Sequence, residues 1–189
     1  VFHQVIGPEK TLIMEDSSIE VHSFPLNHRI RCHGYFFQEK RKPASLLVEK
    51  IKEYSIPDHF RANIKNGSDY ELSNGEIIPH EELTIPAPEP ISYAYCSDNR
   101  IKESLKEKIK GVDYLYHETT FMESEKDRAK KTYHSTTIEA AELAKNLQVK
   151  KLIIGHYSAR YQDLKPLLEE CQVVFESTIL GYEGFKLSF

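Results

Sequence analysis

Four polar side chains stand where predicted strands end or a predicted helix begins, and their types suit catalysis. Asp98 and Glu118 each end an apolar run, His156 follows the buried run at 151–154, and His134 precedes a predicted helix. Because an α/β fold presents groups to a ligand at such positions, we expect these four side chains to share one site.

Two kinds of chemistry suit these residue types. Together with His28, Asp98 and His156 offer imidazole nitrogen and carboxylate oxygen, the donors that zinc and manganese accept. A carboxylate can bridge two metal ions, which activate water and stabilise a phosphodiester transition state. His134, oriented by Glu118, suits general acid catalysis on a departing alkoxide. Taken singly, a His or Asp at a strand end is more often a hydrogen-bonding group, so spacing alone leaves both interpretations open.

The composition indicates one globular domain without a membrane segment. The chain has 189 residues, 40% of them apolar, and a formal net charge of -4. No window approaches the about eighteen apolar residues of a membrane span. Three scattered cysteines are too few for a disulfide framework, which favours reduced thiols and a cytoplasmic location. The sequence begins Val1-Phe2-His3 without an initiator Met, so we expect it to be part of a longer protein.

The N-terminal part of the chain predicts short strands at 11–14, 19–22 and 34–37. Pro25 excludes a central strand position, so we expect His28 at a strand end or in a loop.

From residue 91 onward strands and helices alternate, which predicts a layered α/β or α+β fold. The predicted strands are 91–96, 112–116, 151–154, 173–175 and 184–187, and the predicted helices are 101–109, one starting at 136 with capping-box spacing, and 163–170.

Residues 40–90 differ in composition, with repeated prolines and one predicted helix at about 45–54. The segment 40–65 has a net charge of +4 in an acidic chain. Charge alone favours a solvated surface arm. The basic residues are Lys40, Arg41, Lys42, Lys50, Lys52, Arg61 and Lys65.

In several motifs the chain resembles ribonuclease Z, the tRNA 3′-processing endonuclease of the metallo-β-lactamase superfamily. The most specific are His-Glu-Thr-Thr-Phe at 117–121 and His-Ser-Thr-Thr at 134–137. Three further segments, at 24–35, 95–98 and 156–161, follow in the family's order, so the resemblance covers nearly the whole chain.

The resemblance implies a role for each candidate residue. His28 matches a ligand of the first metal, Asp98 the carboxylate that bridges both metals, and His156 the last ligand of the second metal. Glu118 and His134 match the pair that assists proton transfer to the departing ribose oxygen.

The resemblance also implies an αββα sandwich, two zinc ions per subunit (or manganese), a precursor tRNA substrate, a homodimer and no membrane. Arg160, beside a ligand, is a candidate phosphate contact. The basic stretch at about 40–80 occupies the place of the family's flexible arm, or exosite, which grips tRNA.

The family's His-x-His-x-Asp-His loop, which supplies most metal ligands, is absent from these 189 residues. We therefore expect residues 1–189 to form the C-terminal part of such an enzyme, with a sandwich incomplete on its N-terminal side, weak metal binding and no activity by itself. Asn99 replaces the Thr that usually follows the bridging Asp, and Ile56-Pro57 stands in place of the arm's Gly-Pro pair.

Two other functions stay open at this point. One is a metallo-β-lactamase-fold hydrolase of small phosphodiesters or sulfate esters, which would have no use for a basic arm. The other is a non-catalytic RNA-binding or dimerisation module, which would have no evident need for Glu118 and His134.

Overall fold

The structure is a computed structural model that describes residues 7–187. The described chain divides into two compact units, one formed by residues 7–39 and 91–187 and the other by residues 40–90. In chain order the strands are β1 (Thr11–Glu15), β2 (Ile19–Leu26), β3 (Cys32–Glu39), β4 (Ser45–Leu46), β5 (Tyr70–Glu71), β6 (Ile77–Ile78), β7 (Thr84–Ile85), β8 (Ser92–Cys96), β9 (Tyr114–Glu118), β10 (Lys151–Gly155) and β11 (Thr178–Leu180). The α-helices are α1 (Val48–Glu53), α2 (Asp58–Lys65), α3 (His80–Leu83), α4 (Glu103–Lys108), α5 (Lys126–Thr132), α6 (Thr137–Leu147) and α7 (Lys165–Val174), and a 3-10 turn spans Glu123–Glu125.

The larger unit is built on one mixed sheet of seven strands in the order β1-β2-β3-β8-β9-β10-β11. Strands β1, β2, β3 and β8 pair antiparallel, whereas β8, β9, β10 and β11 pair parallel. The carboxyl ends of β8, β9 and β10 therefore meet at one edge. Because β3 runs antiparallel to β8, the β2–β3 loop lies at that same edge.

Alternation along the central strands separates two faces of this sheet. Ala94, Leu115, Leu152 and Ile154 are fully buried in a core that also takes in residues of α4, α6 and α7. The intervening positions face a cavity of about 800 Å³ with an aromatic lining, which includes Phe37, Tyr93, Tyr95, Tyr116 and Tyr157.

The smaller unit pairs β4 with β7 and β5 with β6. Its core is aliphatic and consists of Ile51, Ile56, Ile64, Ile78 and Leu83. Residues 40–90 carry seven basic and nine acidic side chains, and all seven basic ones precede residue 66.

Several predicted elements are confirmed and others are wrong. The first three strands, the strand at 151–154 and the helix starting after Thr136 are present. Pro25 lies inside β2, opposite His33, because β1 pairs with β2 only as far as Ser23 and leaves Pro25 a free side that tolerates its missing N–H.

The two predicted closing strands are absent from residues 7–187. Val173 and Val174 are the last residues of α7, where helical hydrogen bonding overrides their β-branched preference. Residues 184–187 begin with a turn at Gly184, whose φ is 80°, and form no strand. The strand predicted at 112–116 is displaced to Tyr114–Glu118, and the predicted helix at 45–54 is reduced to Val48–Glu53.

None of the helices formed by residues 7–187 has the length and apolar character that crossing a bilayer requires.

Candidate active site

The five candidate site residues converge at one edge of the seven-stranded sheet. Asp98 lies two residues beyond the end of β8, Glu118 is the last residue of β9, and His156 directly follows β10. His28 lies in the β2–β3 loop, and His134 lies between α5 and α6.

The Asp98 carboxylate lies between two imidazole rings. Its Oδ1 is 3.1 Å from His156 Nε2, and its Oδ2 is 3.8 Å from His28 Nε2. Each carboxylate oxygen thus faces a different histidine nitrogen. This arrangement suits a carboxylate shared by two cations, one beside each ring.

Hydrogen bonds at the other ring nitrogens set the tautomers of both histidines. His28 Nδ1 lies 3.0 Å from the Tyr133 carbonyl oxygen, which can only accept, so Nδ1 carries the proton. His156 Nδ1 lies 2.9 Å from Thr120 Oγ1, whose own hydrogen is donated to Glu118. In the neutral form of either ring, Nε2 is then the unprotonated nitrogen, and it faces Asp98, as in metal-ligating histidines whose other nitrogen donates a hydrogen bond.

Glu118 is the most heavily bonded group of the site. Its fully buried carboxylate accepts hydrogen bonds from the Asn99 N–H, the Thr120 N–H, the Thr120 hydroxyl and His134 Nδ1. Burial by itself raises the pKa of Glu118, but the bonds from His134, Thr120 and Asn99 outweigh it and hold the pKa below its ordinary value. Glu118 is therefore ionised at neutral pH.

His134 is the partner of that carboxylate. Its Nδ1 lies 2.8 Å from Glu118 Oε1, and this hydrogen bond raises the pKa of His134 against the opposing effect of burial. The ring stacks on His156 at a centroid distance of 5.4 Å and lies 5.0 Å from that of His28. A protonated His134 can therefore release a proton within the same small volume that Asp98 organises.

Local sequence fixes the backbone on both sides of His134. Thr136 caps α6 with a complete capping box in which Glu139 is the third helical residue. Arg100 binds the Glu139 carboxylate at 2.5 Å and the His134 carbonyl oxygen at 3.3 Å. The start of α6 is thereby tied to the loop that carries Asp98.

Sequence reasoning did not assign a role to Asn99 or Thr120, yet both connect the predicted residues. Asn99 donates its backbone N–H to Glu118 and its amide Nδ2–H to His117, and it accepts the Asn27 N–H and the Ser135 hydroxyl. These bonds connect Asn99 to the β2–β3 loop through Asn27, to the end of β9 through His117 and Glu118, and to the segment before α6 through Ser135. The sequence feature that could have identified both residues is their position, because Asn99 follows Asp98 and Thr120 lies two residues after Glu118.

The remaining predicted residues, Arg160 and the seven basic residues of the smaller unit, make other contacts. Arg160 donates to Glu125 at 3.1 Å, and its guanidinium lies 5.3 Å from the ring centroid of Phe121. In the smaller unit, Arg41, Lys50 and Arg61 form ion pairs with Glu89, Glu53 and Asp58, respectively, which neutralises part of the predicted basic stretch. Lys42, Lys52 and Lys65 are exposed, and Lys40 is half-buried.

The chain is similar in sequence to curated proteins named Ribonuclease Z. The protein of that name from Parabacteroides distasonis is 51% identical over 187 residues, which cover 99% of this chain. The same match covers 62% of that protein, so the chain spans about three fifths of the length of such relatives. No family model matches the chain.

Solved structures agree on the fold. The short form of human tRNase Z superposes with a TM-score of 0.54 at 18% identity, covering 96% of this chain and 47% of that one. The metallo-β-lactamase fold protein YhfI from Bacillus subtilis superposes with a TM-score of 0.59 at 14% identity, covering 95% and 52%. The predicted α/β fold of the metallo-β-lactamase type is thereby confirmed.

Proposed function

Because the chain is homologous to ribonuclease Z over nearly its whole length, we propose that it is part of a metal-dependent endoribonuclease that removes the 3′ trailer from precursor tRNA by phosphodiester hydrolysis. The observation that carries the proposal is the Asp98 carboxylate between two histidine Nε2 atoms, with the Glu118–His134 pair beside it. A metal-ligand set and a proton donor then belong to one connected site.

His28, Asp98 and His156 fit zinc or manganese by donor type, and both Nε2 atoms face the carboxylate while each Nδ1 has its own hydrogen-bond partner. When bound, such ions activate water and stabilise the charge of the phosphodiester transition state. We propose zinc, with two ions per subunit, which His28 and His156 would hold together with the carboxylate of Asp98.

Three protein ligands are too few for two zinc ions, each of which takes about four ligands. We therefore propose that the chain is the C-terminal part of a longer enzyme and that residues outside it supply the remaining ligands. This is in keeping with the 62% of the relative's length that the chain spans. By itself the 189-residue chain should bind zinc weakly and leave precursor tRNA uncut.

The chain's own residues supply the proton for the leaving group. Glu118 stays ionised, holds one proton on His134 Nδ1 and stabilises the positive charge of the imidazolium. His134 then gives its Nε2 proton to the ribose oxygen as the P–O bond breaks. Such a proton transfer contributes about 10²- to 10⁴-fold to the rate.

The proposal includes the finer properties of the family. Residues 40–90 form their own compact unit, which supports a role as the arm that grips tRNA, with contacts from Lys42, Lys52 and Lys65, which are exposed. Arg160 is proposed as a phosphate contact, a homodimer as the assembly, and the cytoplasm as the location.

The test uses the longer natural protein that contains this chain, assayed for bound zinc and for cleavage of a precursor tRNA. Asp98→Asn should lower both zinc content and cleavage. His134→Gln should lower cleavage about 10²-fold or more while zinc content stays unchanged. The control Glu142→Gln changes an exposed residue of α6 in the larger unit and should alter neither. Full cleavage by the His134 variant, or no cleavage by the unaltered protein, contradicts the proposal.

A further inference from the structure

A basic surface lies next to the proposed proton-transfer pair of Glu118 and His134, and the proposed function assigns no role to it. We call it the α5 surface and define it by Arg29 in the β2–β3 loop, Lys130 and Lys131 in the last turn of α5, and Tyr133 at the C-cap of that helix.

Hydrogen bonds attach the α5 surface to the site. Arg29 Nη2 donates to the Lys131 carbonyl oxygen at 2.9 Å, and His28 Nδ1 donates to the Tyr133 carbonyl oxygen at 3.0 Å. Tyr133 directly precedes His134 in the chain, and the charge of Arg29 acts on the His134 ring. The surface thus begins within one residue of both His28 and His134.

The cations of this surface are available to a ligand. Arg29, Lys130 and Lys131 are exposed, and none of the three forms an ion pair with another residue in the described range 7–187. Lys130, Lys131 and Tyr133 line an open depression of about 700 Å³ together with Asp127 and Arg100, of which Arg100 is paired with Glu139. The unpaired charge at the rim is therefore mostly positive.

Tyr133 adds an aromatic ring that the fold leaves open. Its side chain belongs to a residue that is 43% exposed, and its backbone adopts the left-handed conformation with φ of 62°. That conformation ends α5 and is unfavourable for a residue with a β-carbon. An exposed ring beside three free cations is the combination that binds single-stranded nucleic acid, with cations on phosphates and the ring against a base.

We propose that the α5 surface binds single-stranded RNA immediately next to the phosphate that is cleaved, through Arg29, Lys130 and Lys131 on the backbone and Tyr133 stacked on a base. The assignment of the strand to a substrate rests on the proposed function. Binding itself does not, because it requires neither metal nor proton transfer.

The experiment measures binding of a fluorescently labelled single-stranded RNA of about ten nucleotides to the 189-residue chain by anisotropy, over a range of salt concentrations. Lys130→Ala with Lys131→Ala should lower the salt slope by about 1.4, since each single-strand phosphate contact contributes about 0.7. A slope difference of about 1.4 means that, if both proteins bind equally at 1 M salt, the double variant binds RNA about 25-fold more weakly than the unaltered chain at 0.1 M.

Matched controls separate a local subsite from general electrostatics. Lys110→Ala with Lys145→Ala removes the same charge from exposed positions elsewhere in the larger unit and should leave affinity within about twofold. Tyr133→Asn removes the ring but suits the left-handed backbone, and should weaken binding about fivefold or more. Tyr133→Phe keeps the ring and should bind as the unaltered chain does.

Each outcome decides the proposal. Equal losses in the two lysine pairs, an unchanged affinity of the Tyr133→Asn variant, or no RNA binding by the unaltered chain overturns it. If RNA binding follows the expected pattern while the longer protein fails to cleave precursor tRNA, RNA binding by the α5 surface is supported and the proposed function is wrong. If the longer protein cleaves precursor tRNA but all variants of the chain bind RNA equally, the proposed function is supported and RNA binding by the α5 surface is wrong.

Discussion

Replacing Asn99 with Ala should destabilise the larger unit strongly, although Asn99 carries no charge and faces no ligand. Its fully buried side chain receives the Asn27 N–H at 3.0 Å and donates to His117 Nε2 at 3.2 Å. The bond from His117 Nδ1 to the Glu118 carbonyl oxygen, at 2.7 Å, requires a proton on Nδ1, so Nε2 is the acceptor. The substitution leaves the buried His117 Nε2 and the half-buried Asn27 N–H without these partners.

The magnitude follows from those two orphaned groups. A buried donor or acceptor left without a partner costs about 1–3 kcal/mol, and the half-buried Asn27 N–H costs less than the buried His117 Nε2, so we expect the free energy of unfolding to fall by about 2 kcal/mol. Urea unfolding of the 189-residue chain with a chelator present measures this directly. Asn146→Ala, at an exposed position of α6, is the control and should change stability by less than about 0.5 kcal/mol.

Two further substitutions test the reasoning behind the number. Thr at position 99 keeps one hydroxyl but cannot reach both partners, so it should recover only part of the loss. Asp at position 99 still accepts from Asn27 but turns a carboxylate oxygen toward the His117 lone pair, so it should recover nothing at pH 8. A loss below about 1 kcal/mol for Asn99→Ala, or full stability with Asp, refutes the account.

Three shorter predictions concern the same unit. The hydrogen bond to Glu118 raises the pKa of His134, so the stability that this bond contributes is fully present below pH 6.5 and is lost as the pH rises through the His134 pKa of the folded state. Glu118→Gln should lower the His134 pKa in an NMR titration of the metal-free chain. An unchanged His134 pKa contradicts this prediction. Thr136→Ala removes the α6 cap and should cost about 1 kcal/mol in urea unfolding, unless the capping box contributes nothing. Gly34→Ala would bring a methyl group within 2.8 Å of the Tyr95 carbonyl oxygen and should lower the free energy of unfolding by about 1–3 kcal/mol. A melting temperature equal to that of the unaltered chain would show that β3 and β8 can move apart to make room for the methyl group.

The fold was predictable where one physical rule decided the outcome. Apolar runs of strand length followed by Asp98, Glu118 and His156 required only that parallel strands end at one edge. The length of β2 was less predictable, because Pro25 is tolerated where the strand is paired on one side only, and one-sided pairing is a property of the sheet that the strand's own residues do not show. The strand expected at 173–175 was wrong because the helix that begins near Pro166 continues through Val173 and Val174.

The polar network of the site was less predictable than its reactive residues. The residue type alone shows that imidazoles and carboxylates can bind metals or transfer protons, and the resemblance to the family motifs predicts which residue does which. Asn99 and Thr120 act through geometry alone, and their value depends on which atoms the fold brings within about 3 Å of them. Distances of that kind arise from the packing of five separate segments, namely the β2–β3 loop, the α5–α6 connection and the residues that follow β8, β9 and β10, which residue spacing does not encode.

The edge where β2, β8, β9 and β10 end also has a kinetic consequence. The groups that meet there come from segments between His28 and His156 in a chain of 189 residues, and the parallel pairings among β8, β9 and β10 require long crossovers. Contacts of such high sequence separation form late and slowly in folding, because loop closure costs entropy before any contact stabilises the chain. Partially folded chains therefore hold His28, Asp98, Glu118 and His156 far apart. The chemistry proposed for this site requires the assembled sheet, so in a growing or misfolded polypeptide Lys130 and Lys131 are present before the site beside them exists.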